Sequence, residues 1–262
     1  MRYARLTCAV LLTCSFLLPE AASAQAPPAP GAADARKEGL PLKATRKIEF
    51  TTDEGTWISL DVSPDGQRIA FDLLGDIYVL PIGGGEARRI TSGIAWDCQP
   101  RWSPDGKSLA FISDRSGSDN IWILPHDAAD EKAEPKQMTR ETEYNLQSPA
   151  WTPDSIYVVT RRIGPYPNSD DFMRGTSLWM YHRDGGRGIE VIPARGNTQI
   201  NTGAAFSKDG KTMYFSSHAG AFTYDADLGR FQVYAHNRET GEVNTITGNY
   251  GGGLRPIISP DG

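Results

Sequence analysis

Ser63-Pro64-Asp65-Gly66 decides the fold, because the chain returns to it as Ser103-Pro104-Asp105-Gly106, Thr152-Pro153-Asp154-Ser155, Ser207-Lys208-Asp209-Gly210 and Ser259-Pro260-Asp261-Gly262. Proline presets φ at the second turn position, aspartate bonds its own backbone, and glycine takes the positive φ that lets two antiparallel strands meet with the right twist. Pro64, Asp65, Gly66, Pro104, Asp105, Gly106, Asp154, Asp209, Gly210 and Asp261 are therefore read as structural turn residues. The third copy lacks the glycine and the fourth the proline, so those two hairpins are expected to be less well specified.

The same four apolar runs surround each turn. A strand ends just before it at Val62, Trp102, Trp151, Phe206 and Ile258, and a second follows at Ile69-Ala70-Phe71, Leu109-Ala110-Phe111, Ile156-Tyr157-Val158-Val159 and Met213-Tyr214-Phe215. A third run lies at 76–80, 120–124, 177–181 and 231–234, and a short fourth at 89–91, 137–139, 190–192 and 245–247, Thr-marked in all but the third unit. Such runs, rich in β-branched and aromatic residues and bounded by Gly, Pro, Asp and Asn, predict one propeller blade per unit. The turn aspartates at 65, 105, 154, 209 and 261 lie 40, 49, 55 and 52 residues apart, close to the roughly 40–50 residues that a four-stranded blade needs. The predicted fold class is thus all-β: four blades and the start of a fifth, an incomplete ring.

From each turn the preceding fourth strand lies 13, 14, 15 or 13 residues back, and 13 residues before Ser63 stands Phe50, in Ile48-Glu49-Phe50. That segment is expected to be the outermost strand of the last blade, donated by the N-terminus to pair the exposed edges at the seam. The partner strands of that blade match nothing in the sequence, so the chain is expected to be a fragment.

Ahead of the blades, residues 1–24 read as an export signal: Arg2 and Arg5, an apolar run from Leu6 to Leu18 too short to span a bilayer, and Ala22-Ser23-Ala24 as cleavage site. A periplasmic or secreted location follows, with no membrane span after cleavage. Residues 25–44, with Pro27, Pro28, Pro30, Gly31 and Pro41, read as a disordered linker, and 45–262 as the truncated propeller. Cleavage would leave Cys98 alone, so no disulfide can form within the exported chain. Net charge is −5 and no basic stripe is present, which argues against a nucleic-acid partner.

The chemistry-bearing residues are sparse. His126, His182, His218 and His236 stand singly, without metal-ligand spacing. Gly175-Thr176-Ser177-Leu178-Trp179 fails at the last position of a nucleophile elbow. Gly83-Gly84-Gly85 reads as a hairpin turn, because no Lys-Ser/Thr and no helix follow. In Ser113-Asp114-Arg115-Ser116 the aspartate is expected to cap backbone amides and the arginine to pair with it, rather than to bind a ligand. No catalytic, cofactor-binding or metal-binding residue is assigned. Insertions at 161–176 and 218–230 emerge at the same strand connection, so the face that carries them, with Tyr166, Phe172, Phe222 and Tyr224, is the candidate contact surface.

The turn with its flanks, as in Gln99-Pro100-Arg101-Trp102-Ser103-Pro104-Asp105-Gly106-Lys107-Ser108-Leu109-Ala110-Phe111, resembles the WD40-like PD40 repeat of TolB-type propellers from about Ile48 onward. A narrower likeness, carried by Phe50-Thr51-Thr52-Asp53-Glu54-Gly55-Thr56-Trp57 and Phe71-Asp72-Leu73-Leu74-Gly75-Asp76-Ile77-Tyr78, is to the N-terminal propeller of exported amidohydrolase-family proteins. That resemblance implies an accessory propeller. A metal-dependent hydrolase domain, with a divalent metal such as zinc, would follow and be the propeller's partner in the same chain. The alternatives are a TolB-type propeller binding a peptide or envelope protein, and the propeller gate of a serine peptidase.

Overall fold

The computed structural model describes residues 46, 48–126, 133–164, 175–195, 199–218, 231–248 and 251–259. Within them the chain forms four antiparallel sheets of four strands each, every one in simple meander order. The first blade holds β1 (Leu60–Val62), β2 (Arg68–Leu73), β3 (Asp76–Pro81) and β4 (Arg88–Arg89), and the second β5 (Asp97–Trp102), β6 (Ser108–Ser113), β7 (Asn120–Pro125) and β8 (Lys136–Gln137). The third holds β9 (Asn145–Trp151), β10 (Tyr157–Ile163), β11 (Ser177–His182) and β12 (Ile189–Ile192), and the fourth β13 (Ile200–Phe206), β14 (Thr212–His218), β15 (Gln232–Asn237) and β16 (Val243–Thr245). The all-β propeller expected from the repeat is the fold observed.

Three hydrophobic clusters correspond to the three blade–blade interfaces. Ala70, Ile77 and Val79 meet Trp102, Leu109 and Phe111 between blades one and two. Ala110, Ile112 and Ile121 meet Leu146, Trp151 and Val158 between blades two and three, and Val159 and Leu178 meet Met213 and Phe215 between three and four. Strand pleating sends alternate residues to opposite faces, so β6, buried along its whole length, gives Leu109 and Phe111 to one neighbour and Ala110 and Ile112 to the other. Each blade is thus stable only against its neighbours. The outer faces of blades one and four lack such cover, leaving Leu60, Val62 and Ile246 exposed.

The fourth strands carry Thr for a reason visible in the bonding. Where the short strand ends, the hydroxyls of Thr91, Thr139 and Thr247 accept the third-strand amides of Ile77, Ile121 and Val233, each at 2.9 Å. A side chain there replaces the ladder partner that a two- or three-residue strand cannot supply.

One expected strand meets no partner among the described residues, and one expectation needs correction. Ile48 and Phe50 lie outside any strand and are 66% and 65% exposed. An outermost strand forms only against a neighbouring third strand, and among the described residues no third strand of a closing blade is present. The turns at Thr152 and Ser207 are also as well formed as the others, since Ser155 and Gly210 take φ of 60° and 71° beside 68° and 70° for Gly66 and Gly106.

Candidate functional site

All four described turns use one bonding scheme. The first residue's hydroxyl donates to the turn aspartate, from Ser63 to Asp65 at 2.5 Å, Ser103 to Asp105 at 2.5 Å, Thr152 to Asp154 at 2.5 Å and Ser207 to Asp209 at 2.6 Å. The same carboxylate oxygen accepts the amide two residues on, at 3.0 Å in every copy. Pro64, Asp65, Gly66, Pro104, Asp105, Gly106, Asp154, Asp209 and Gly210 all lie in these turns, which the fold spreads from blade to blade. Asp261 lies outside the described residues, as do Tyr166, Phe172, Phe222 and Tyr224 of the candidate contact face.

The turns also join neighbouring blades, which the sequence reading did not foresee. His126, Arg183 and Arg238 each follow the third strand of their own blade. His126 Nε2 lies 2.6 Å from the guanidinium of Arg68, which itself pairs with Asp65 of the first blade. Arg183 lies 3.7 Å from Asp105 of the second blade and donates to Ser155 O at 3.0 Å. Arg238 donates to Gly210 O at 2.7 Å, and its charge helps hold the Asp154 carboxyl of the third blade below its usual range. One position per blade thus reads the preceding turn.

The first strands contact one another from blade to blade, so they line the propeller axis. Four residues before each of the second to fifth turns, Gln99, Ser148, Gly203 and Arg255 adopt φ of 56°, 55°, 66° and 56°, a repeated bulge that breaks the register of β5, β9 and β13. Side chains accept the amides this bulge releases: Asp72 takes those of Ser59 at 2.8 Å and Gln99 at 2.7 Å, Gln99 Oε1 takes Ser148 at 2.6 Å, and Ser216 takes Arg255 at 2.9 Å. Arg101 and Asp61 stand beside this ring. Burial pushes the Asp61 carboxyl up, although it accepts the Trp102 amide at 2.7 Å, and burial lowers the Arg101 guanidinium, with Arg255 adding like charge. The bulge amides are thus satisfied within the propeller wall, and Asp61 and Arg101 are bonded at the junction of blades one and two.

The remaining candidates are structural. Asp114 caps the Trp96 amide at 2.8 Å as expected, but Arg115 pairs with buried Asp97 at 2.5 Å instead of with Asp114. His182 faces Asp184 at 3.6 Å. Gly84 closes a turn on Pro81 O at 2.9 Å, the hairpin read for the glycine triplet. No group of three or more His, Cys, Asp or Glu able to hold a metal ion occurs among the described residues, and no helix there is long and apolar enough to cross a membrane.

Radial four-stranded blades with a Ser/Thr-x-Asp turn and an axial bulge define a β-propeller. Residues 41–165 match the PD40 family, the TolB beta propeller domain. Over 78% of its length the chain superposes on 66% of a TolB-designated protein from Agrobacterium tumefaciens, with a TM-score of 0.58 and 23% identity. It is 28% identical to the uncharacterized peptidase YuxL of Bacillus subtilis over 212 residues, 76% of this chain and 27% of that protein. It is 33% identical to dipeptidyl-peptidase 5 of Porphyromonas gingivalis over 134 residues, 45% of this chain and 19% of that protein. The chain thus spans about a quarter or less of the curated relatives it matches.

Proposed function

We propose that this propeller is the accessory, substrate-gating region of an exported peptidase, working beside a hydrolase domain of the serine type. The observation that carries this is the match to peptidase-named relatives over 76% of the chain, a stretch that makes up only 27% of the relative. The exposed apolar faces of blades one and four are where further blades of the ring would pack. Export rests on the Arg2 to Ala24 signal pattern.

The relatives described above carry TolB and peptidase names, so the amidohydrolase reading gives way, and the divalent metal belonged to that reading. The test is to treat the full-length protein with a fluorophosphonate probe and map the labelled residue. Labelling of a serine outside 60–245, with hydrolysis of peptide substrates, is expected. An unlabelled protein with chelator-sensitive amide hydrolysis would restore the amidohydrolase reading.

The likeness in fold to a TolB-designated protein favours one second reading, a propeller that binds a peptide segment of an envelope protein. There the full-length protein is inert to the probe, and Arg101→Ala abolishes binding of peptides to the purified protein.

A further inference from the structure

A cavity of about 600 Å³ opens between blades two and three, away from the axis. One wall comes from the end of blade two, with Met138, Arg140 and Glu141, and the other from blade three, with Arg162, Trp179 and Tyr181. Glu141 is fully engaged: Arg162 pairs with Oε2 at 3.0 Å, and the Tyr181 hydroxyl donates to Oε1 at 2.7 Å. Arg162 is in turn held between the rings of Tyr144 and Trp179, its guanidinium carbon 3.6 and 3.9 Å from their centroids. This arrangement neutralises Glu141 and fixes the cavity wall.

Two further arginines line the same space. Arg140 belongs to blade two and Arg187 to the turn between β11 and β12, and both line the cavity and are exposed. Neither has an ion-pair partner among the described residues. Three arginines against one glutamate leave the cavity with a net charge of +2 in a chain whose net charge is −5. The turn that carries Arg187 lies flat on the cavity wall, because a Cβ on Gly188 would stand 2.5 Å from the Tyr181 ring. Arg187 is thereby held close to the aromatic surface.

We propose that this cleft binds a carboxylate-bearing ligand of about dipeptide size, with Arg140 and Arg187 taking the carboxylate and the half-buried Trp179 taking its apolar body. Arginine suits carboxylates because its guanidinium presents planar donors to two oxygens. The volume lies within the range of small-molecule sites, roughly 300–1,000 Å³, and the mixture of apolar wall and few polar groups is what such sites show. The site is independent of whether a peptidase domain shares the chain.

The experiment is equilibrium binding to the full chain, followed by tryptophan fluorescence and calorimetry. The probes are N-acetyl-phenylalanine and N-acetyl-alanyl-phenylalanine, each beside its C-terminal amide. The free acids are expected to bind about tenfold more tightly than the amides, as lost charge-assisted bonds would give. The comparison between the two acids tells a small organic acid from a peptide terminus. In R140Q/R187Q, whose exposed positions should leave the melting temperature unchanged, the acid preference disappears, while Lys208→Gln keeps it. Equal binding of acid and amide, no binding of either, or a preference surviving in R140Q/R187Q would overturn the assignment. No outcome depends on catalysis, so failure here leaves the serine-probe result untouched.

Discussion

The Asp105 amide donates to Ser155 Oγ at 3.0 Å, tying the turn of blade two to that of blade three. Ser155 stands where the other turns have glycine and holds φ at 60°, a conformation costing an L-residue roughly 1–2 kcal/mol. The hydrogen bond returns about 0.5–1.5 kcal/mol, so the serine exchanges local strain for a contact between blades. Ser155→Gly removes both effects and should change stability by less than about 1 kcal/mol. Ser155→Ala keeps the strain and loses the bond, and should cost about 1 kcal/mol. Urea midpoints decide it: an alanine variant as stable as the parent would show that the bond contributes nothing.

The turn aspartates make stability fall in acid. Hydroxyl and amide donors hold the Asp65 and Asp209 carboxyls below 3.8. At Asp105 and Asp154 burial works the other way, but the Ser103 and Thr152 hydroxyls, the following amides, and the charges of Arg183 and Arg238 outweigh it. Near 3.8 the unfolded chain takes up protons that the folded chain still refuses. The contribution is therefore complete above about pH 5 and is lost as pH falls through the folded values. Denaturation midpoints measured from about pH 6 to pH 3 should fall, and D105N/D154N should fall less steeply. Parallel pH curves for the two proteins would exclude these groups as the cause.

Cys98 should be chemically silent. Burial first, then the negative charges of Asp72, Asp119, Asp97 and Asp114, push its thiol up to about 12. Since the thiolate is the reactive form, Ellman's reagent at about pH 8 should modify it only on unfolding. Fast modification of the native protein would contradict this burial.

The blades were legible because the turn chemistry is local: four residues set φ and the hydrogen bonds of Ser63 to Gly66, and the copies announce themselves. What crosses between blades was not. His126, Arg183 and Arg238 look like ordinary residues after a strand until the ring brings each to the turn some 60 to 85 residues earlier in the chain. The cavity draws on residues from Met138 to Gly188 that share no motif. Ser155 was read as a weakness because its partner is 50 residues away. The Ile48 to Phe50 segment was placed by spacing alone, on a blade whose other strands the described residues do not hold.

Glu141→Gln tests the arrangement that shapes the cavity. The carboxylate accepts from Tyr181 and pairs with Arg162, whose side chain is only 14% exposed, against 17% for Glu141. The amide keeps the shape but can present only one oxygen, so one of the two donors loses its acceptor and the guanidinium its counter-charge. Removing one partner of a half-buried pair costs about 1–3 kcal/mol, and the Tyr144 and Trp179 rings offset part of this by facing the cation. The variant is expected to lie near the lower end of that range. Arg162→Lys should cost more than Glu141→Gln, because a lysine ammonium cannot lie flat between two rings and pair with the carboxylate together. Thermal melts of both variants check the order. If the lysine variant proves the more stable of the two, the stacked guanidinium is not what holds this wall in place.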